Sequence, residues 1–432
     1  MKKVLILAWD FPPYQAIGAA RPNSWFKNFK KNGLYPIVVT RHWDDELNFK
    51  DAYIRSSNIQ DTIINENEFG TIIKTPYKSN FRDRIIIKYG YSRFVIIRKI
   101  FSFITHTFSY RFNFLSDKRR VYHEALNYIQ QKDIDLILAT GEPFILHKFA
   151  FKLSQKTKTP YILDYRDGWT TRDDNLRLKG PKKWLNDYFF RYFEKKYLKE
   201  ASCVITSNPF ELPKIQNIAP HTKMFNVYNG YVESEVGLGQ GIEQLSDCFR
   251  IGYAGSIYPY NRVEDFLEGL KLFILKNPKA KFELRLLGIQ SQPDQLKRIE
   301  NYDLILKSFI ESTPRLEKKD LIEWFCKCNS LLIFTNPEIH LLPSKVYEYL
   351  PLKRKIIVSV NDESDLKDIM EMTNAGFNCN NAEEIANSIE SMYKEFIETG
   401  KVKSEVKDFE QFSRVNQAKN LTEIIKSEMN YR

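Results

Sequence analysis

Apolar residues in this chain come in short, dense runs separated by amphipathic stretches. "KKVLILAW", "YPIVVT", "GTIIKT", "IDLILAT", "TPYILDY", "SCVITS" and "MFNVYNG" show no alternation of apolar and polar positions over strand-length segments. Such runs are buried on both faces, as strands are in a parallel sheet covered by helices. Between them, helical spacing of apolar residues predicts helices at 22–31, 121–131, 144–156 and 181–199. Strand then helix, repeated, gives βαβ units and a doubly wound sheet.

The rhythm stops at "ESEVGLGQGIEQLSD", residues 233–247, which is rich in Gly, Ser and acids and has no apolar period, as a linker should. It restarts with "FRIGYAG", "KFELRLLG", "DLILKSFI", "SLLIFTN", "KIIVSV" and "AGFNCN", alternating with helical patterns at 263–276, 318–326, 344–350 and 382–396. An amphipathic helix at 410–429 closes the chain. The pattern predicts an α/β protein of two Rossmann-like domains, 1–232 and 248–408, joined by the linker 233–247. The segment 409–432 is expected to pack back on the first domain. Open α/β sheets bind ligands at the carboxyl ends of their strands, so a cleft between two such domains is expected to hold the site.

Composition agrees with this division. The 432 residues exceed one ordinary core and suit two domains of about 200 residues each. With 43% hydrophobic and 28% charged residues the chain is globular rather than disordered. Five scattered cysteines without a CxxC pair, and histidines without ligand spacing, argue against a zinc site or a disulfide framework. No apolar stretch approaches the roughly 18–20 residues of a membrane span. The opening run ends at Trp9–Asp10 without a small-residue cleavage site and reads as a first buried strand, so a cytoplasmic location is expected.

The net charge of +11 is concentrated between residues 81 and 122. There Arg82, Arg84, Lys88, Arg93, Arg98, Lys99, Arg111, Lys118, Arg119 and Arg120 face only Asp83 and Asp117, with aromatic and aliphatic residues threaded among them. An anionic membrane surface, a phosphorylated substrate or nucleic acid would each suit the mixture, as would a helix pair with snorkelling cations. No nucleic-acid-binding motif accompanies the patch, which argues against nucleic acid as a partner. Peripheral contact with the inner face of the plasma membrane stays an open expectation.

The candidate chemistry sits at "HLLPSKVYEYLPLKRKIIVS". Pro343 suits a first helical turn, because its missing N–H would be unbonded there anyway. The N–H groups of Ser344, Lys345 and Val346 are then expected to point out of the helix start, where an anion is favoured. Lys345 opposes the helix dipole unless an anion binds beside it. Glu348 shares its face, placed to accept from the hydroxyls of a ribose. A solvated Lys345–Glu348 pair is the alternative.

"LPSKVYEYLPLKRKII" resembles the signature of GT-B glycosyltransferases, especially the family 4 branch that builds bacterial surface polysaccharides from nucleotide sugars. Glu348 matches the second glutamate of the family's E-x7-E motif, which binds the nucleotide ribose. The first glutamate, which contacts the sugar, is replaced by His340, and Glu338 is the nearest acid. "IGYAGSIYPYNRVEDFLEGL" is similar to the first unit of the family's C-terminal domain, with Gly255 on the glycine and Arg262 on the diphosphate-neutralising lysine; Ser256 stands where an arginine is frequent. "WDFPPYQAIGAARPNSWFKNFKKNGLYPIVVT" resembles the first βαβ unit, with Gly18 in its donor-approach loop and Arg21 at the following helix start. "TPYILDYRDGW" resembles a DxRDPW loop, with Arg166 in place of a histidine, Asp167 as the acceptor-facing group, and Asp164 open to an internal salt bridge. "TGEPFILHKFA" resembles a GPPxSxH loop, its histidine being His147, which suits an acceptor-side or a structural role.

The resemblance implies the GT-B fold. It further implies transfer of a sugar from a nucleoside diphosphate donor to a saccharide or lipid-linked acceptor hydroxyl, in surface polysaccharide or glycolipid assembly, with retention of configuration. No metal and no cofactor are expected, since "WDDE" and "RDDN" lack the setting of a metal-binding DxD. Asp167, Arg262 and Lys345 would carry the chemistry. Gly18, Gly255, Ser256, Glu338, His340, Ser344 and Glu348 would hold the donor, and Arg21, His147 and Arg166 would lie on the acceptor side. Rival readings are a sugar-nucleotide epimerase of the same fold, a phosphorylase, for whose cofactor lysine no motif is present, and a catalytically degenerate nucleotide-binding or scaffold protein, which His340 and Ser256 favour.

Overall fold

The structure, a computed structural model, describes residues 1–14, 17–44, 49–172, 178–338, 340, 342–361 and 363–430. The chain divides into two compact units, one of Met1–Tyr228 with Gln417–Arg432 and one of Asn229–Asn416.

The first unit is built on an eight-stranded sheet of β1 (Lys2–Leu7), β2 (Leu34–Arg41), β3 (Ile63–Glu66), β4 (Thr71–Thr75), β5 (Leu136–Gly141), β6 (Tyr161–Tyr165), β7 (Cys203–Thr206) and β8 (Met224–Asn226). Their spatial order is β3-β4-β2-β1-β5-β6-β7-β8. Every pairing is parallel except β3 with β4. Successive residues of a strand point to opposite faces, and here each face has its own core. Leu5, Leu7, Ile37 and Val39 pack with Phe149 and Tyr165 on one side. Val4, Ile6 and Val38 pack with Trp25 and Phe29 on the other, where Ala418, Leu421 and Ile425 of the last helix, Arg414–Asn430, complete the cluster. Two apolar faces explain why the strands carry no alternating pattern. β3 escaped the pattern because it is an antiparallel edge strand exposed at every position.

The second unit is a six-stranded, wholly parallel sheet of β9 (Phe249–Ala254), β10 (Phe282–Leu287), β11 (Ile310–Ser312), β12 (Ser330–Phe334), β13 (Lys355–Ser359) and β14 (Gly376–Cys379), in the order β11-β10-β9-β12-β13-β14. The run "DLILKSFI" is not the expected strand. The Asp303 carboxylate accepts from the Ile305 N–H at 2.9 Å and pairs with Lys271 at 2.8 Å, Leu304 is exposed, and pairing begins only at Ile310. Local side-chain capping outweighs apolar content there. Within 233–247, read from the sequence as the linker, lie a short helix, Glu233–Val236, and a 3-10 turn, Gly237–Gly239.

Each sheet reverses its strand order once, between β1 and β5 and between β9 and β12. The carboxyl ends beside such a reversal are where open α/β sheets place ligands.

Candidate active site

In the second unit the reversal is flanked by Gly255, after β9, and Thr335, after β12. Gly255 has φ +110°, a backbone conformation that L side chains rarely adopt. A Cβ on it would stand 2.5 Å from Lys345 Cε and 2.8 Å from Lys345 Nζ. The glycine therefore lets the lysine side chain lie across the end of β9. Lys345 Nζ sits 5.1 Å from the centre of the Tyr253 ring. Among the described residues it has no hydrogen-bond or ion-pair partner. Burial lowers its pKa, and Glu348 on the next turn partly restores it. A desolvated ammonium without a counter-ion, at a strand-order reversal, is a poor packing element and a ready anion site.

The two loops at this edge are stitched together. The Arg262 N–H donates to Thr335 O at 3.4 Å, and Asn336 Nδ2 donates to Tyr260 O at 2.5 Å. The Arg262 guanidinium, however, makes a two-pronged pair with Asp265, Nε to Oδ2 and Nη2 to Oδ1, both at 2.7 Å. Its charge is neutralised in place, in the first turn of helix Val263–Lys276. The expectation of three outward N–H groups needs correction too. Helix Lys345–Tyr349 is only five residues long, and its tight first turn directs the Val346 N–H to Pro343 O at 3.2 Å. The Ser344 and Lys345 N–H groups have no backbone partner among the described residues.

Glu348 is not paired with Lys345. Its Oε2 takes an ion pair from Lys318 Nζ at 3.0 Å, and Lys318 also reaches Glu235 at 3.1 Å. Burial works against the Lys318 charge, but Glu348 and Glu235 outweigh it and hold its pKa above the ordinary lysine value. Glu348, Lys318 and Glu235 line a small recess with Tyr231 and Phe325. Lys318 was missed in the sequence, although it carries the same signal as Lys345: a lysine at the first position of its helix, Lys318–Lys327. Ser256 is exposed, and its carbonyl accepts from the Tyr253 hydroxyl at 2.9 Å. On the loop before Lys345, Glu338 is exposed and His340 half-buried, while Ile339 and Leu341 lie outside the described residues.

In the first unit Arg166 gathers the strand ends. Its Nε donates to Gly141 O at 2.5 Å and its Nη2 to Glu142 O at 2.6 Å. Gly18 does not stand in a loop; it lies in the first turn of helix Ile17–Phe29. A Cβ there would overlap Arg166 Nη1, at 1.9 Å, and crowd Asp10 Oδ2, at 2.8 Å. Gly18 thus makes room for Arg166 and Asp10. Burial raises the Asp10 carboxyl to about 6 against the opposing charges of Arg166, Lys118 and Arg41. Its Oδ1 is buried without a hydrogen-bond partner among the described residues. Asp10 follows β1 at the reversal, and a single acid after a strand was too ordinary a signal to single out. Asp167 is exposed and free of partners among the described residues.

Arg21 and His147 do not join this group. Arg21 is buried, forked onto Asp164 at 2.8–3.2 Å and bonded to the carbonyls of Val227 at 2.6 Å and Tyr228 at 3.0 Å. Asp164, itself buried, also accepts from Thr140 at 2.7 Å, so the internal salt bridge is what the structure contains. His147 is fully buried in helix Ile145–Thr157, with Nε2 3.2 Å from Asp164 O, and burial lowers its pKa to about 4. Both side chains lie inside the unit, out of reach of a substrate at its surface. Of "WDDE" and "RDDN", residues 45, 46 and 173–175 lie outside the described residues.

No protein-family model and no curated protein matches the sequence. Solved structures do. A glycosyltransferase from Rickettsia africae ESF-5 is similar at TM-score 0.61 and 12% identity, over 100% of this chain and 99% of that one. Anabaena Alr3699/HepE in complex with UDP and glucose is similar at TM-score 0.58 and 12% identity, over 99% and 100%. The catalytic domain of Starch Synthase IV from Arabidopsis thaliana, bound to ADP and acarbose, is similar at TM-score 0.58 and 12% identity, over 100% and 99%. The likeness spans both units and gives the chain the GT-B fold.

Proposed function

We propose that the protein is a glycosyltransferase that moves a sugar from a nucleoside diphosphate donor to an acceptor hydroxyl, in surface polysaccharide or glycolipid assembly, with retention of configuration and without a bound metal. One observation carries the reading: Lys345 lies half-buried against Gly255, without an ion-pair partner among the described residues, at the reversal of the second sheet. HepE is seen with UDP and with UDP-glucose, and the Starch Synthase IV domain with ADP, which supports a nucleoside diphosphate as the anion.

In this reading the bond from the sugar's anomeric carbon to the diphosphate breaks and a bond to the acceptor oxygen forms. The acceptor proton leaves with the diphosphate. Charge grows on the departing phosphate, and fixed positive groups aimed at it lower the barrier. Lys345 and the N–H groups of Ser344 and Lys345 supply them, and Arg262 joins once an anion competes with Asp265. Glu348, oriented by Lys318, accepts from the ribose hydroxyls, with Gly255, Ser256, Glu338 and His340 lining the donor side. In the first unit Gly18, Arg166 and Asp167 serve the substrates. A lipid-linked acceptor would bring the basic, aromatic region 81–122 to an anionic membrane surface.

Incubating the protein with a panel of nucleotide sugars, with and without lipid extract, tests this through release of free diphosphate. Release that depends on an acceptor supports it, and acceptor-independent conversion of the donor would point to epimerisation. The Arg262–Asp265 pair favours a second reading, a donor-binding protein that does not transfer, in which nucleotide binds and no diphosphate is ever released.

A further inference from the structure

Helix Val95–Ser109 is turned inside out. On a globular surface a helix keeps its apolar stripe inward. Here Ile96, Ile100 and Phe103, one helical stripe, are 74%, 51% and 53% exposed, and the neighbouring stripe of Ile97, Phe101, Ile104 and Phe108 is exposed as well. The more covered positions are the polar ones, Arg98, Ser102, Thr105, Thr107 and Ser109. Among the described residues no helix is long and apolar enough to cross a membrane.

Where this helix ends, a groove of about 310 Å³ opens between residues 110–112, helix Ile145–Thr157 and helix Arg191–Lys199. Tyr110 fixes one wall by packing on Phe193, ring centres 6.0 Å apart. Arg111, Lys148, Lys152 and Lys196 all line the groove, and no carboxylate does. Lys148 is buried and donates to Ser109 O. Arg111, Lys152 and Lys196 have no ion-pair partner among the described residues. Burial and repulsion from Lys152 lower Lys148 to about 7, and burial, Lys156 and Lys196 lower Lys152. Cations gathered at mutual cost call for an anion.

The surroundings select which anion. Residues 84–116 contain six cations and no acid. A second copy of the chain seated on this face would press like charges together. A bilayer surface accepts the outward apolar stripes and the cations at once. We propose that the groove binds the phosphate of an anionic membrane lipid while helix Val95–Ser109 lays its apolar face into the interfacial layer. This rests on the membrane contact in the reading above and is independent of sugar transfer.

The test uses the full chain with vesicles of phosphatidylcholine alone and of phosphatidylcholine with phosphatidylglycerol, and calorimetric titration with dihexanoyl phosphatidylglycerol. Partitioning should require the anionic lipid, and the short-chain lipid should bind saturably. Lys152→Gln/Lys196→Gln should abolish short-chain binding and cut vesicle partitioning by about 25-fold, from the typical contribution of each basic residue at a membrane surface. Lys88→Gln/Arg93→Gln, outside the groove, should leave the titration unchanged. Ile96→Ser/Phe103→Ser should weaken vesicle binding and spare the titration. Equal effects of the two cation pairs on the titration would reject the groove while keeping the membrane contact. Inorganic phosphate binding as tightly as the lipid would reject a lipid site. Failure to bind anionic vesicles would overturn both.

Discussion

Lys345 shows how little freedom the proposed donor site leaves to a single side chain. Its methylenes rest against Gly255 and its ammonium faces the Tyr253 ring, and burial penalises the charge by more than Glu348 repays. Lys345→Ala should therefore lower the turnover of donor about 100-fold, the usual loss on deleting one group that stabilises developing charge. Its unfolding midpoint should not fall, because burial costs the deleted charge more than Glu348 returns. Normal diphosphate release by the variant would remove the lysine from the mechanism. Asp10 is the first unit's counterpart, a carboxyl lifted from 3.8 to about 6, chiefly by burial. Between pH 4 and 6 the unfolded chain has released a proton that the folded chain still holds, so this group's contribution to stability falls as pH rises through that window. The displacement corresponds to up to about 3 kcal/mol. Asp10→Asn should accordingly stabilise the protein at pH 7.5 and make little difference near pH 4. Denaturant titrations of both proteins at the two pH values check this, and a pH-independent difference would refute it.

At the scale of elements, the site depends on how strands end. Gly255 closes β9 in a left-handed conformation, and a Cβ there would meet the end of the Lys345 side chain, so Gly255→Ala must both strain the backbone and push Lys345 aside. It should cost more than about 1 kcal/mol of stability and lose about as much turnover as Lys345→Ala. Because both act through one ammonium, the double variant should be no less active than the worse single one; additive losses would separate them. The same scale explains what the sequence disclosed. Central strands were legible because two cores demand apolar residues at every position, whereas β3 and β11 are short edge strands without that demand. Lys345 was legible because a cation at a helix start opposes the dipole, and Lys318 carried the same sign. Arg21 was misplaced, and His147 took the structural of its two expected roles, because Asp164, which holds both, is the fourth residue of β6 and not part of the loop beyond it. Depth below the surface is set by tertiary packing, which spacing along the chain does not record. The Arg262–Asp265 fork was within reach, since the two stand three residues apart at a helix start.

For the whole molecule, the first unit is discontinuous in sequence, and its last piece arrives only after the second unit is complete. Ala418, Leu421 and Ile425 are buried in the cluster that includes Trp25, Phe29 and Ile205, and Gln417 Oε1 accepts from the Tyr228 N–H at 2.7 Å. Truncating one buried Leu or Ile to Ala costs about 2–5 kcal/mol, and a domain is stable by only about 5–15 kcal/mol. Ending the chain after Asn416 removes several such side chains at once and should unfold the first unit or bring it close to unfolding. The second unit has its own core and sheet and should persist. Tryptophan distribution makes the outcome readable: Trp9, Trp25, Trp43, Trp169 and Trp184 belong to the first unit, and Trp324 alone to the second. The truncated protein should show red-shifted emission dominated by solvated indoles, while its circular dichroism keeps the helix and strand signal of residues 229–416. Unchanged emission together with an unchanged melting curve would mean that the sheet of the first unit holds its face closed without the last helix, and the assignment of residues 417–432 to that core would fail.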